Sequence, residues 1–363
     1  MEGLEPGSPV LSTGNSDWDN VVRRAEGHDV FHTSRYMSLF EHHFGNPGCL
    51  FVYEEGEGFV AYPFFLRDLS RLPFYGETGP DKAAFDIVSP WYYGGILVHA
   101  ADAGERAGLL GGFHRSFDAF SRDRHIISEF GRLHPFLGSP EHLSPSYQVR
   151  TSGLVVYIDL GQDVELMWED MTRSNRKRIR RCQEAGVLVS RDSSRDAIDG
   201  FTELYLGLMD RKGAGGFYRF PRGFFDDLLS SFPGDSRLLV ARYRDTVIAG
   251  LLLLGGGGFA HTYLSASDPE YLRLGPNNLL KWEGALAARE MGYRYYLLGG
   301  GTDSLLAFKQ TFSRTAKDFT VYCRVRDEAG YERLSLLRSR YAASRGEAGP
   351  EGFFFPEYRR GIP

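Results

Sequence analysis

Apolar and polar positions alternate along this chain in two registers, and the changes between them mark out the elements. The stretch FHTSRYMSLFEHHFG, Phe31 to Gly45, repeats its apolar residues every three or four positions and predicts a helix. CLFVYEE (Cys49–Glu55) and GFVAYPFFLR (Gly58–Arg67) read as two strands of a hairpin. LLGGFHRSFDAFSRDR (Leu109–Arg124) returns to helical spacing before the extended run HIISEFGRLHPF. LVVYIDL (Leu154–Leu160) is a strand that leads into a basic helix. A second helix covers Ile198 to Asp210, and after the loop RKGAGGFYRFPRG the segment FFDDLLSSF predicts a third. Three strands then follow, RLLVARYR, TVIAGLLLLG and FAHTYLSAS. After them come the helix NNLLKWEGALAAREMG, the strand YRYYLLG and a last strand TVYCRVRD. The two halves have similar length and order, which predicts a duplicated mixed α/β (α+β) fold. The expected boundaries are a flexible tail over 1–16, a first domain over 17–158 and a second over 159–335. Residues 336–363 then form a C-terminal helix and tail that can pack back on the first domain.

One helix carries most of the charge pattern. In MWEDMTRSNRKRIRRCQEAG, Met167 to Gly186, the residues Arg173, Arg176, Lys177, Arg180 and Arg181 make one stripe at about 100 degrees per residue. Trp168, Met171, Ile179 and Cys182 project from the opposite side, and Gly186 is the expected stop. Such a stripe fits a phosphate track or a plain solvated face. The solvated face would normally carry alternating signs, and only Glu184 interrupts from within.

Composition narrows the function classes. The chain has 363 residues, 42% hydrophobic and 25% charged, enough for one large or two ordinary cores. A net charge of -5 argues against a protein that coats nucleic acid over its whole surface, while leaving room for the local basic stripe. No apolar run reaches the roughly 18 to 20 residues of a membrane span, so a cytoplasmic protein without a membrane span is expected. Cys49, Cys182 and Cys323 lie far apart and indicate neither a disulfide framework nor a zinc site. No G-x-S-x-G elbow, H-E-x-x-H pair or Walker loop occurs, and the adjacent His42 and His43 cannot both face one metal from a helix. The run GGGG at Gly255 to Gly258 reads as a hairpin turn, since no helix follows it.

The segment GGGTDSLLAFKQTF, Gly299 to Phe312, places a lysine inside an apolar run after a glycine turn. Lys309 either snorkels to water or faces a pocket where its charge is used. Here the sequence resembles a known family. NRKRIRRCQEAGV, HTYLSASDPEYLRLGPNNLLKWEGALAAREMGYRYYLLGGG and LLAFKQTFS are similar to blocks of the Fem aminoacyltransferases, which carry two GNAT-like domains. SPWYYGGIL, Ser89 to Leu97, resembles the tyrosine- and glycine-rich acceptor loop of the same superfamily, and EFGRLHPF adds to the likeness, which spans roughly residues 20 to 330.

The resemblance implies two fused GNAT-like domains, each a twisted mixed sheet flanked by helices, acting as an aminoacyl-tRNA-dependent transferase. The reaction it implies is direct attack of an amine on the aminoacyl ester, with aminoacyl-tRNA as co-substrate and no other cofactor or metal. It places the family's Phe-Lys pair on Phe308 and Lys309, where a fixed ammonium offsets charge on the carbonyl and leaving oxygens. Acceptor-binding candidates are Asp86, Tyr92 and Tyr93 in the first half and Arg219 and Tyr263 in the second, around an expected cleft, with the stripe holding tRNA. Trp91 and Phe224 are read as aromatic core; the family carries a tyrosine where Phe224 stands. The proton acceptor for the amine is left open among Asp86, water and the substrate. The acceptor is a peptide amine, a cell-wall precursor or a specialised metabolite, and a monomer is expected. Two alternatives stand beside this: an acyl-CoA N-acyltransferase, although YLRLGPNNLLKW has Pro276 where a phosphate loop needs an N–H, and a non-catalytic module holding RNA or glycan.

Overall fold

The computed structural model describes residues 9–76, 83–346 and 352–362. Along the chain lie β1 (Val10–Ser12), α1 (Trp18–Arg24), α2 (Ser34–Phe44), β2 (Gly48–Glu55), β3 (Gly58–Asp68), β4 (Phe85–Val88), β5 (Leu97–His99), α3 (Ala103–Asp123) and β6 (Ile126–Arg132). They are followed by β7 (Gln148–Asp159), α4 (Val164–Asp170), α5 (Arg173–Glu184), β8 (Leu188–Arg191), α6 (Arg195–Arg211), α7 (Arg222–Ser231), β9 (Ser236–Tyr243), β10 (Thr246–Gly256) and β11 (Phe259–Ser267). The last elements are α8 (Pro276–Glu290), β12 (Tyr295–Gly299), α9 (Asp303–Gln310), β13 (Ala316–Val325) and α10 (Glu328–Ser344). No helix among the described residues is long and apolar enough to cross a membrane.

Two compact units result, one of residues 1–152 with 319–363 and one of residues 153–318. In the first, the strands run β1-β2-β3-β4-β6-β13 with β5 also paired to β3. The 21-residue α3 lays Phe113 and Phe117 on Phe51, Tyr62 and Phe64 of the sheet, with the rings of Phe113 and Phe117 stacked 5.5 Å apart. Two sequence expectations change here. Val10–Ser12, within the expected tail, pairs with Cys49–Phe51 as an edge strand. The strand TVYCRVRD, expected in the second domain, pairs antiparallel with β6, Val321 opposite Arg132, so the chain's end returns to the first unit. Nothing local in a sequence encodes a pairing across that separation.

The second unit has the order β7-β12-β11-β10-β9-β8. The strands are antiparallel except β11 and β12, which run parallel and are joined through the crossover helix α8. Their pairing covers only Phe259–His261 against Tyr295–Leu297, while β11 continues to Ser267, so the two strands part toward their C-terminal ends. A register shift between Leu252 and Leu253 bends the neighbouring β10–β11 ladder. The apolar runs of β9 and β10 pack against α5 and α8 around Ile179, Leu251, Leu253, Ala285 and Tyr296. The gap beyond His261 and Leu297 is where an α/β sheet offers its ligand crevice.

Candidate active site

β12 ends in a glycine turn because its exit requires it. Gly299 has φ 78 and Gly301 φ 142, in the left-handed region, and a Cβ on Gly300 would lie 2.6 Å from the Leu154 carbonyl oxygen. The turn leads directly into α9, whose first residue is Asp303.

In α9, Lys309 is the one buried residue, 8% exposed, while Leu305 on the same helix is open to solvent. A snorkelling lysine would show the reverse pattern. Its Nζ donates to the Gly300 carbonyl oxygen at 2.5 Å and would sit 3.2 Å from a Cβ on Gly299, so the glycine turn and the ammonium are fitted to one another. Phe308, half-buried, packs edge-on against Phe312 with ring centres 5.4 Å apart. Burial lowers the Lys309 ammonium to about 8, and the charge of Lys212 adds to the effect.

A second lysine, which sequence reasoning passed over, lies in the same place. Lys281 of α8 is 4% exposed, and burial together with the charge of Lys309 lowers it to about 7. It stands one turn before Gly284, whose position touches the Tyr296 hydroxyl of β12, and so lies on the helix face turned to the parallel strands. Thr262 Oγ1 donates to that hydroxyl at 2.7 Å, bridging β11 and β12 at the parting of the strands, one residue past the last pair at His261. Among the described residues neither lysine has an ion-pair partner. The available signal was of one kind for both: a single lysine interrupting an apolar run, LLKW for Lys281 and AFKQTF for Lys309.

α5 and α8 are held to α9 by buried amides. Asn278 donates to Asn175 Oδ1 at 2.8 Å, Asn175 donates to the Thr311 carbonyl oxygen at 3.2 Å, and the Thr172 N–H donates to the same oxygen at 2.9 Å. Both asparagines are buried, and this network fixes the end of the helix that carries Lys309. The first turn of α8 offers little to a pyrophosphate. Pro276 has no N–H, and the amides of Asn278 and Leu279 both donate to the Gly275 carbonyl oxygen, which leaves Asn277.

The basic stripe divides on inspection. The chain from Met167 is two helices, broken at Met171, because Thr172 caps α5 by accepting from the Asn175 N–H. Arg176 is taken up by that break: its guanidinium donates to the carbonyl oxygens of Trp168, Glu169 and Met171, closing the end of α4. Arg180 lies 5.5 Å over the Trp168 ring. Arg173, Lys177 and Arg181 are exposed on α5 and make no hydrogen bond or ion pair among the described residues. Met171, Ile179 and Cys182 form the buried side.

The acceptor candidates are placed less uniformly. Asp86 is fully buried in the first unit. Its carboxylate accepts from Arg67 Nε at 2.7 Å, Arg359 Nε at 2.6 Å and the Tyr358 hydroxyl at 3.1 Å. Burial alone would raise its pKa, but Arg67 and Arg359 outweigh it and hold the carboxyl below its ordinary value. A carboxylate so occupied is neither a free base nor a ligand for an acceptor, and Asp86 is corrected to a structural anchor for the chain's end. Tyr92 adopts φ 88, an uncommon conformation for a non-glycine residue, and stacks on Phe31 with ring centres 5.4 Å apart. Tyr93 is buried beside Phe31, Tyr92 and His134, and burial raises its phenol. In the second unit Arg219 is exposed and ion-paired with Asp210, and Tyr263 is buried on β11. Phe224 is core, stacked on Phe220 with ring centres 4.3 Å apart.

Residues 170–310 match the family model of the acetyltransferase (GNAT) domain. Among solved structures, FemX aligns with a TM-score of 0.67 at 13% identity, over 89% of this chain and 99% of that one. The C-terminal domain (DUF2156) of a putative lysylphosphatidylglycerol synthetase from Agrobacterium fabrum aligns with a TM-score of 0.54 at 15% identity, over 89% and 94%. A tandem GNAT protein from the clavulanic acid biosynthesis pathway, without AcCoA, gives 0.51 at 10% identity, over 87% and 97%. No curated protein sequence matches the chain. The fold is a tandem, Fem-like GNAT fold.

Proposed function

We propose that this protein transfers an aminoacyl group from aminoacyl-tRNA to an amine of a peptide, cell-wall precursor or specialised-metabolite acceptor. The observation that carries the reading is Lys309, an ammonium buried at the C-terminal end of the parallel strands and fixed to the Gly300 carbonyl oxygen. The acceptor nitrogen attacks the ester carbon, and the electron pair of the C=O bond moves to oxygen. Lys309 offsets that charge. Collapse of the intermediate breaks the carbon–ribose oxygen bond, and the leaving oxygen takes up a proton as the nitrogen loses one. An ammonium lowered to about 8 can supply that proton, being both mostly charged near neutrality and a stronger acid than an exposed lysine. FemX shares the fold, and so does a domain of a protein named as a lysylphosphatidylglycerol synthetase.

The match to an acetyltransferase model favours acyl-CoA as the second reading. The first turn of α8, with one amide left, argues against it. Purified protein supplied with labelled amino acids, total tRNA and synthetases should give amide product that ribonuclease abolishes. Product formed from acetyl-CoA alone would decide for the second reading.

A further inference from the structure

Two lysines are buried near one another in the second unit, Lys281 one turn after Asn278 and Lys309 two residues before Thr311, which Asn175 ties together, and among the described residues no carboxylate is paired with either. Lys281 is 4% and Lys309 8% exposed, and among the described residues the only charge acting on Lys281 is that of Lys309, while the one acting on Lys309 is that of Lys212. The other groups around α8 are spoken for. Glu283 lies near Arg191 of β8 rather than the lysines, Tyr296 accepts from Thr262, and Asn175 and Asn278 bond each other. Burying charge without a partner is unfavourable, and proteins keep such groups where a ligand completes them.

We propose that Lys281 and Lys309 form a built site for a phosphate-type oxyanion, at the parting of β11 and β12 and one turn inside α8. A phosphate group carries several acceptor oxygens and up to two charges, matching two ammoniums, where one carboxylate would neutralise only one. The site differs from a backbone phosphate grip, which Pro276 and the bonded amides of Asn278 and Leu279 do not provide. The proposal shares Lys309 with the transfer reading and deepens it by giving the donor's phosphates a fixed point, whether a nucleic-acid 3′ end or a CoA supplies them.

An anion between the lysines favours their charged forms, and Lys281, lowered to about 7, takes up a proton as it binds. The test is titration calorimetry of the intact chain with inorganic pyrophosphate, at about pH 7.5, in two buffers of different ionisation enthalpy. Wild type should bind saturably with net proton uptake, and Lys281→Met should bind at least tenfold more weakly with that uptake lost. Cytidylyl-adenosine and CoA as further titrants separate the two sources, since only the matching one should lose affinity in Lys281→Met. No saturable binding, no proton uptake by wild type, or equal affinity in both proteins overturns the site. The wild-type proton count needs no variant, and no measurement needs a transfer substrate. A failed transfer assay therefore leaves this result standing, and the reverse holds too.

Discussion

Replacing Lys281 by methionine should make the protein more stable at neutral pH, and the gain should fade as the solution becomes alkaline. The native pKa of about 7 lies below the ordinary 10.5, so between those values the unfolded chain holds a proton that the native chain gives up. Stability therefore rises with pH across that window: the penalty is complete below about pH 7 and gone above about pH 10.5. At about 1.4 kcal/mol per pKa unit, the linkage is worth about 4 kcal/mol near pH 7.5 and about 2 kcal/mol near pH 9. Methionine is apolar and of similar length, so it removes the penalty with little loss of packing. Relaxation around the lysine reduces the gain, and an observed stabilisation of about 1 to 3 kcal/mol is expected near pH 7.5. Trp282, next in sequence and packed edge-on to Trp168 with ring centres 5.1 Å apart, gives a local fluorescence signal for chemical unfolding. A variant less stable than wild type near pH 7.5, or a gain that does not shrink by about pH 9, would refute the reasoning. Lys281 would then be paired in solution.

Three further outcomes are expected. Lys309→Met should lower turnover roughly a hundredfold while the cooperative unfolding transition persists, and near-normal turnover would remove Lys309 from the chemistry. With Arg173, Lys177 and Arg181 as the free cations of α5, tRNA binding should weaken with salt at a log–log slope of about -2 to -3. Reversing Lys177 and Arg181 to Glu should flatten it by about 1.5, and an unchanged slope in filter binding would place the tRNA elsewhere. Asp86→Ala strands Arg67 and Arg359 and should cost about 3 to 5 kcal/mol. Because the native carboxyl is held low, this contribution is present above about pH 4 and lost as pH falls further; a variant with wild-type stability near pH 7 would contradict the assignment.

Much of the second unit was legible in the sequence because its signals are local. β-branched and leucine runs bounded by turns located β9 to β11, and the glycine turn before LLAFKQTF located the entry to α9. The break inside the basic segment was less visible. Thr172 looked like one more polar residue on a continuous helix, and only its cap to Asn175 shows why the chain restarts there and why Arg176 is consumed. The return of β13 to β6 and the grip of Arg359 on Asp86 depend on residues far apart in sequence, so periodicity could not find them. Lys281 interrupts the apolar run LLKW as Lys309 interrupts AFKQTF, yet without a glycine turn before it the interruption reads as the polar side of an amphipathic helix.

Asp86 and Lys281 show what separates an anchor from a site when both are charged and buried. Around Asp86 the protein supplies its own compensation: two arginines and a tyrosine hydroxyl fill the carboxylate, and the outcome is a charge held in place with nothing left to bind. Around Lys281 the protein supplies further positive charge instead, from Lys309, whose own ammonium is bonded to the Gly300 carbonyl oxygen. A fold under selection for stability alone would lose such a lysine, since an apolar residue of the same size is better tolerated there. Its presence at the C-terminal end of the parallel strand pair β11–β12, beside a glycine turn shaped around a second ammonium, follows if the missing charge arrives with the substrate. The stability gained by Lys281→Met and the anion affinity lost are then two measurements of one uncompensated charge.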